Sequence, residues 1–255
     1  MALAAAFFDL DRTLLRRSSA LALAGSFRDR GLISRRQLAK AAAWQLLFVM
    51  RGASHETVRR AAEDGLKLLR GFTPEEMREL VGSALEGVLR PLVYQEPLEL
   101  VEHHREHGEP VYIVSATLHE IVETIASDLG FDGALGTICE IGPDGAYTGK
   151  AIRALHAEAK AACLKEFAAR EGFDLALCTA YSDSHTDIPF LEAVGYPVGV
   201  NPDRELRHIC ADRGWPVLEF SRRAYPHARR RVPPLVLALP FVVLAALYAV
   251  RRRAA

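Results

Sequence analysis

The chain has 255 residues, half of them hydrophobic and a quarter charged, and its 32 basic side chains balance 32 acidic ones. That length suits one sizeable α/β core with a smaller accessory domain. Zero formal net charge disfavours DNA or RNA as a partner, because a phosphate backbone would meet no basic surplus. Composition is silent on oligomeric state.

Met1 to Phe8 is apolar but carries no basic leader and no cleavage pattern, and it runs straight into Asp9-Leu10-Asp11-Arg12-Thr13. It therefore reads as a buried strand, with no secretory signal. A parallel strand of this kind places ligands at its carboxyl end. Strand alternation would send Asp9 and Asp11 the same way. Two carboxylates so close repel each other unless a cation sits between them, and magnesium is the economical choice, since it takes hard oxygen ligands. Taken alone, the segment could equally be an ordinary Asp-rich turn.

From Arg16 to about Arg90 the periodicity becomes helical, with expected helices at Ser19–Asp29, Ser34–Val49, Ser54–Leu69 and Pro74–Leu89. This block reads as a helical cap inserted after the first strand. Such a lid would exclude water and select the substrate. Within it, Gln37–Met50 is unusually apolar, which fits a buried cap helix or a surface that meets lipid or a greasy substrate.

Strand and helix signals then alternate, as in βαβ units. A helix from Pro97 to His107 precedes a strand from Pro110 to Val114 that ends in Ser115-Ala116-Thr117, hydroxyls and amides suited to phosphate oxygens. A helix at Leu118–Leu129 and two strands around Pro143-Asp144-Gly145 follow. Helix Ala157–Arg170 carries Lys160 near its start, a cation able to offset phosphate charge. Strand Leu175–Tyr181 ends in Ser182-Asp183-Ser184-His185-Thr186-Asp187, a second acidic strand end. Helix Ile188–Val194, strand Tyr196–Val200, helix Arg204–Arg213 and a short strand at Pro216–Leu218 complete the pattern. Cys139, Cys163, Cys178 and Cys210 form no Cys-x-x-Cys pair and sit mostly in apolar segments, which suits reduced core thiols in a reducing compartment.

After Phe220 the character changes. Arginines at 222, 223 and 229–231 lead into Val232–Val250, which has no charged residue, and Arg251–Arg253 closes it. Roughly 19 residues at about 1.5 Å each reach about 28 Å, close to the hydrocarbon thickness of a bilayer. A single-pass C-terminal anchor in the cell membrane, with the preceding domain cytoplasmic, is expected. A helix lying along the bilayer or packed on the domain is the alternative.

Asp9, Asp11 and Thr13, then Ser115, then Lys160, then Asp183 and Asp187 come in an order and strand context that resembles the haloacid dehalogenase superfamily of aspartate-dependent phosphohydrolases. The Tyr181–Ser184 and Asn201–Asp203 segments look like its phosphoserine phosphatase-like subfamily. The resemblance implies an α/β fold, a Rossmann-like parallel sheet with an inserted helical cap. The core would be 1–15 and 91–220, the cap 16–90, a basic linker 221–231 and the hydrophobic anchor 232–250.

It further implies a magnesium-dependent phosphomonoester hydrolase in which Asp9 is the nucleophile and Asp11 the general acid and base. Asp9, Asp183 and the backbone carbonyl of Asp11 would hold Mg2+, Ser115 and Lys160 would bind the phosphoryl group, and Asp187 and Thr13 would support the site. His185 is expected in a solvent-side loop. One departure bears on substrate. In phosphoserine phosphatases a glutamate seven residues after the second aspartate of this motif meets the substrate's ammonium group, and here that position is Ser18, beside Arg16 and Arg17. A more anionic or lipidic phosphomonoester is therefore expected, with phosphoserine hydrolysis or transfer of the phosphoryl group to an organic acceptor as alternatives. A non-catalytic binding protein of the same fold is disfavoured because every motif is complete.

Overall fold

Strand β1 (Ala6–Phe8) is only three residues long, fully buried, and pairs on both sides with parallel strands. Its alternation divides the interior into two cores. Ala6 and Phe8 face one cluster and Ala5 and Phe7 the other. At about 25 cal/mol per Å2 of apolar surface, each phenylalanine contributes on the order of 2–3 kcal/mol, so a short strand is firmly held. The computed structural model describes residues 3–31 and 65–225.

Around β1 lie β2 (Val111–Leu118), β3 (Gly133–Ile141), β4 (Tyr147–Arg153), β5 (Thr179–Ser182), β6 (Tyr196–Val200) and β7 (Val217–Leu218), in the order β4-β3-β2-β1-β5-β6-β7. All neighbouring pairs are parallel except the β3–β4 hairpin. The chain winds outward from β1 in both directions, which makes the carboxyl end of β1 a topological switch point, where open α/β sheets form their crevice.

Helices α1 (Ser19–Asp29) and α2 (Pro74–Ala84) come from the expected cap, and α3 (Glu96–Glu106) and α4 (His119–Leu129) follow. Leu23 and Phe27 of α1 and Met77, Leu80 and Val81 of α2 belong to the same buried cluster as Phe8, so these two helices share a core with one face of the sheet. The other face is covered by α5 (Glu158–Glu171), α6 (Ile188–Leu191) and α7 (Arg204–Arg213) through Leu164, Phe167, Phe190 and Leu206. A capping box starts α2. The Glu76 amide donates to Oγ1 of Thr73 at 3.2 Å, and the Thr73 amide donates to Oε2 of Glu76 at 2.9 Å.

Several expected boundaries move, each for a local reason. The strand expected from Leu175 begins at Thr179, because the Asp174 carboxylate accepts from the Ala176 amide and turns Leu175–Leu177 into a 3-10 segment. The strand expected to end at Val114 continues to Leu118 through an irregularity in its pairing with β3, so Ser115 lies within β2. The helix expected over Pro74–Leu89 is α-helical to Ala84 and then widens into a π turn at Leu85–Leu89. That turn holds Gly87, a poor helix former, and ends just before Pro91, which has no N–H to continue the ladder. The helix expected at Ile188–Val194 stops at Leu191, since the Gly195 amide is drawn to the Leu175 carbonyl at 2.8 Å. A side chain at Gly195 would collide with the Ala176 carbonyl, so only glycine allows that approach.

The four cysteines are free and buried, as their apolar settings indicate. The expected helix Ser34–Val49, most of Ser54–Leu69, the apolar stretch Gln37–Met50 and the anchor Val232–Val250 lie outside the described residues. Among the described residues no helix is long and apolar enough to cross a membrane.

Candidate active site

The centre of the site is a buried ammonium group shared by two carboxylates. Nζ of Lys160, on the first turn of α5, lies 2.6 Å from Oδ1 of Asp9 and 2.7 Å from Oδ2 of Asp187. Lys160 is 1% exposed, and Asp9 and Asp187 are 8% exposed. The ammonium also sits 4.6 Å above the centre of the Phe190 ring, a cation–π contact that holds its stem. Oδ2 of Asp187 accepts a further bond from the Ser182 hydroxyl at 2.7 Å. Residues 9, 160, 182 and 187 thus meet in one buried network built from the carboxyl ends of β1 and β5 and the start of α5.

Asp183 completes the acidic rim. It is 4% exposed, and its Oδ2 receives no hydrogen bond, although Nε of Arg12 approaches to 3.3 Å. The Asp183 carbonyl accepts from the Asp203 amide at 2.8 Å, which ties this loop to the start of α7. Burial pushes the Asp183 carboxyl up to about 8, with repulsion from Asp9 adding to it and Arg12 opposing. Asp9 is raised to about 7, again by burial first, with Lys160 pulling it down and Asp187 and Asp11 pushing it up. The same carboxylates drive Lys160 well above its usual range and outweigh its burial. Both partners shift upward, Asp9 chiefly because it is buried and Lys160 because two carboxylates face it.

Asp11 is placed differently from the expectation. β1 ends at Phe8, so strand alternation does not extend to it. The loop turns back through Arg12, at a left-handed φ of 67°, and Leu14 and Leu15 both donate to the Leu10 carbonyl at 3.0 Å. Oδ1 of Asp11 accepts from the Ser19 amide at 2.7 Å, at the start of α1. Burial raises the Asp11 carboxyl, and hydrogen bonds from Ser19 and Ser18 restrain that rise. An aspartate anchored on α1, beside a second one anchored on the sheet, gives the two carboxylates different settings.

Ser115 is 2% exposed in the middle of β2, the strand next to β1, and its Oγ accepts from the Thr117 amide at 3.2 Å. Oγ of Ser19 lies 3.3 Å from Oγ1 of Thr117, which links β2 to the start of α1. Thr13 is fully buried, but its hydroxyl makes no hydrogen bond, so any bracing it gives the loop comes from packing. His185 is partly exposed and turned onto Asp203, with Nδ1 2.8 Å from Oδ2.

The donor set suits a hard divalent cation. It offers carboxylate oxygens in surplus, and the orphaned buried oxygen of Asp183 gains a partner if one binds. Among the described residues no three His, Cys, Asp or Glu side chains form a cage by themselves. A site of two carboxylates, Asp9 and Asp183, with the Asp11 carbonyl would not require one. Sequence reasoning passed over Ser182, Arg12, Ser19 and Phe190. Ser182 adjoins an acid already singled out and could have been found there, whereas the other three announce themselves by no spacing.

A switch-point crevice with aspartates at strand ends and a lysine at a helix start, joined in one buried cluster, places the chain among α/β proteins that build their site from strand-end acids. Residues 6–192 match the family model of haloacid dehalogenase-like hydrolases, and the chain belongs to that family. It is 40% identical over 263 residues to the "Inhibition of morphological differentiation protein" of Streptomyces azureus, covering 98% of this chain and 94% of that one. Two proteins of Mycobacterium tuberculosis are also similar. A probable phosphatase is 42% identical over 229 residues (90% of this chain, 79% of the relative). A phosphoserine phosphatase is 35% identical over 232 residues (90% and 75%). Among solved structures, a protein of unknown function from Bordetella pertussis Tohama I superposes with a TM-score of 0.75 at 28% identity, covering 86% of this chain and 99% of that one.

Proposed function

We propose that this phosphatase hydrolyses a small or lipid-linked phosphomonoester through a phosphorylated Asp9. The observation that carries the reading is the Lys160 ammonium held between Asp9 and Asp187, which joins acids from both halves of the chain in one buried centre. Asp9 attacks phosphorus, and the bond from phosphorus to the leaving oxygen breaks. Carboxylates need no separate base for this at neutral pH. Asp11, whose raised affinity for a proton follows from its burial, gives that proton to the leaving alkoxide and then takes one from the water that cleaves the aspartyl-phosphate. Lys160 and Ser115 hold the transferring phosphoryl oxygens, Asp187 and Ser182 fix the Lys160 ammonium, and Thr13 supports the loop by packing. Mg2+, held by Asp9, Asp183 and the Asp11 carbonyl, would supply charge neutralisation for the incoming phosphate.

On substrate, the position of Ser18 is informative. Its hydroxyl serves Asp11 and offers no charge to a substrate ammonium group. We therefore read the substrate as an anionic phosphomonoester. Phosphoserine is the second reading, favoured by the similarity to the mycobacterial phosphoserine phosphatase. The core and cap division at 16–90, the C-terminal anchor and a cytoplasmic catalytic domain stay with this proposal, the anchor supported by the uncharged run 232–250. Phosphate release from soluble and micelle-presented phosphomonoesters, with and without Mg2+, tests the reading. Asp9→Asn should lose activity by about three orders of magnitude or more, and an Asp9→Asn protein as fast as wild type would refute it. Protein lacking residues 232–255 should leave the membrane fraction, and sedimentation with membranes all the same would place the attachment elsewhere.

A further inference from the structure

Beside the motif loop, three arginines that pair with no acid among the described residues line a cavity of about 280 Å3, together with Pro91, Leu92 and Tyr94. Arg16 and Arg17 come from the end of the Asp9–Leu15 loop, and Arg223 comes from the segment after β7. Among the described residues none of the three forms a salt bridge. Their neighbours behave otherwise: Arg222 pairs with Glu96 and Glu99, and Arg12 with Asp183.

The walls are tied together by backbone. The Arg16 amide donates to the Leu92 carbonyl at 2.8 Å, the Tyr94 amide to Leu14 at 3.0 Å, and the Ala224 amide to Val93 at 3.1 Å, while Tyr94 and Arg223 form an antiparallel bridge. Arg16 is held further, its Nη1 donating to the Ser221 carbonyl at 2.6 Å and its guanidinium lying 5.1 Å from the centre of the Tyr94 ring. Arg17 and Arg223 remain exposed, with donors free to turn toward a ligand. A fixed frame that carries uncompensated guanidinium groups is preorganised for an anion.

We propose that this cavity is a second anion site, separate from the Asp9–Lys160 centre, which takes the phosphate or phosphate-ester group of a ligand. Three positive charges outnumber a single carboxylate and suit a phosphate dianion, and the planar guanidinium fork matches phosphate oxygens two at a time. The volume falls at the small end of ligand pockets and admits a headgroup-sized moiety. Arg17 also stands two residues before Ser19, whose amide holds Asp11 at 2.7 Å, so an anion bound here sits beside the reaction centre along the chain. The group comes either from a soluble substrate with a second phosphate or from a phospholipid headgroup. The binding claim is independent of the hydrolase reading, and its extension to a substrate rests on that reading.

Calorimetric titration of the full chain with inorganic phosphate, compared with Arg17→Ala/Arg223→Ala, tests the site. The wild type should bind one equivalent more than the double variant, whose fold is checked by thermal unfolding. The single exposed change Arg17→Gln, which should weaken that equivalent about tenfold, serves if the double variant fails to fold. Equal stoichiometry and affinity in wild type and variant overturn the proposal. Two further measurements name the source. A KM for 2,3-bisphosphoglycerate that rises about tenfold in the variant identifies a soluble ligand. Weaker sedimentation of the variant with phosphatidylcholine vesicles containing phosphatidylglycerol, relative to vesicles without it, identifies a headgroup. If the wild type hydrolyses no phosphomonoester yet the extra equivalent is present, the hydrolase reading falls and the anion site stands. Hydrolysis with equal phosphate binding gives the reverse.

Discussion

Replacing Lys160 by methionine removes the ammonium group that bridges Asp9 and Asp187 and leaves both carboxylates buried without it. Breaking a buried pair from one side costs about 3–5 kcal/mol, because the abandoned charge keeps its desolvation penalty. Lys160→Met should therefore lower stability by roughly that amount, measured by denaturant unfolding, and reduce kcat by about a hundredfold to a thousandfold through lost stabilisation of the phosphoryl oxygens. Adding Asp187→Asn to Lys160→Met should recover part of the stability and none of the activity. A Lys160→Met enzyme within tenfold of wild-type kcat would remove Lys160 from the reaction. Asp9, Lys160 and Asp187, which meet in this centre, were legible because a carboxylate after a strand and a lysine at a helix start are written in short, ordered motifs, whereas Ser182 beside them was passed over. Arg12, Ser19 and Phe190 were not, since their roles arise from a left-handed turn, a helix N-terminus and a ring beneath an ammonium, none of which follows from spacing along the chain.

At the scale of elements, Asp203 shows how a helix start supports the site from outside. Its carboxylate accepts from the Leu206 amide at 2.8 Å, capping α7, and from the amide and ring of His185 at 3.0 and 2.8 Å, while its own amide donates to the Asp183 carbonyl. Burial alone would raise this carboxyl, but the amides and the imidazole outweigh it and hold it below the ordinary 3.8. A lowered folded value means that its contribution is present above the unfolded value and is lost as pH falls through the folded one. Asp203→Ala should cost about 0.5–2 kcal/mol, as expected for a lost N-cap, and this difference from wild type should shrink below about pH 4. A difference that persists undiminished at pH 2 would show that the charge plays no part. Parallel strands and long helices were legible from their apolar runs, and α1, α3, α4 and α7 fall within a residue or two of expectation. The shifts at Leu175–Leu177, Leu85–Leu89 and Leu191 were hidden because an Asx-type cap, a π turn and a glycine contact with a distant carbonyl are decided by partners, which periodicity does not carry.

For the whole molecule, the surplus of carboxylates at the switch point makes stability depend on pH and on cations together. In metal-free protein the folded state holds protons on Asp9, up to about 7, and on Asp183, up to about 8, whereas the unfolded chain releases them near 3.8. Between those limits the folded state binds more protons, so stability falls as pH rises through the window and levels off above it. The sign is opposite to that of Asp203, whose effect lies below the window. Melting temperature in the presence of a chelator should decline from about pH 5 to about pH 8. Mg2+ at about a hundred times its Kd should restore about 2.7 kcal/mol at the upper end, with less effect at the lower end, where protons already occupy the carboxylates. Asp183→Asn removes one of the two buried charges, so it should flatten the chelated profile and weaken the response to Mg2+. A chelated wild type that is as stable at pH 8 as at pH 5, with no gain from Mg2+, would mean that these acids do not converge on one uncompensated centre, and the reading of the strand-end crevice as a phosphoryl-transfer site would lose its electrostatic basis.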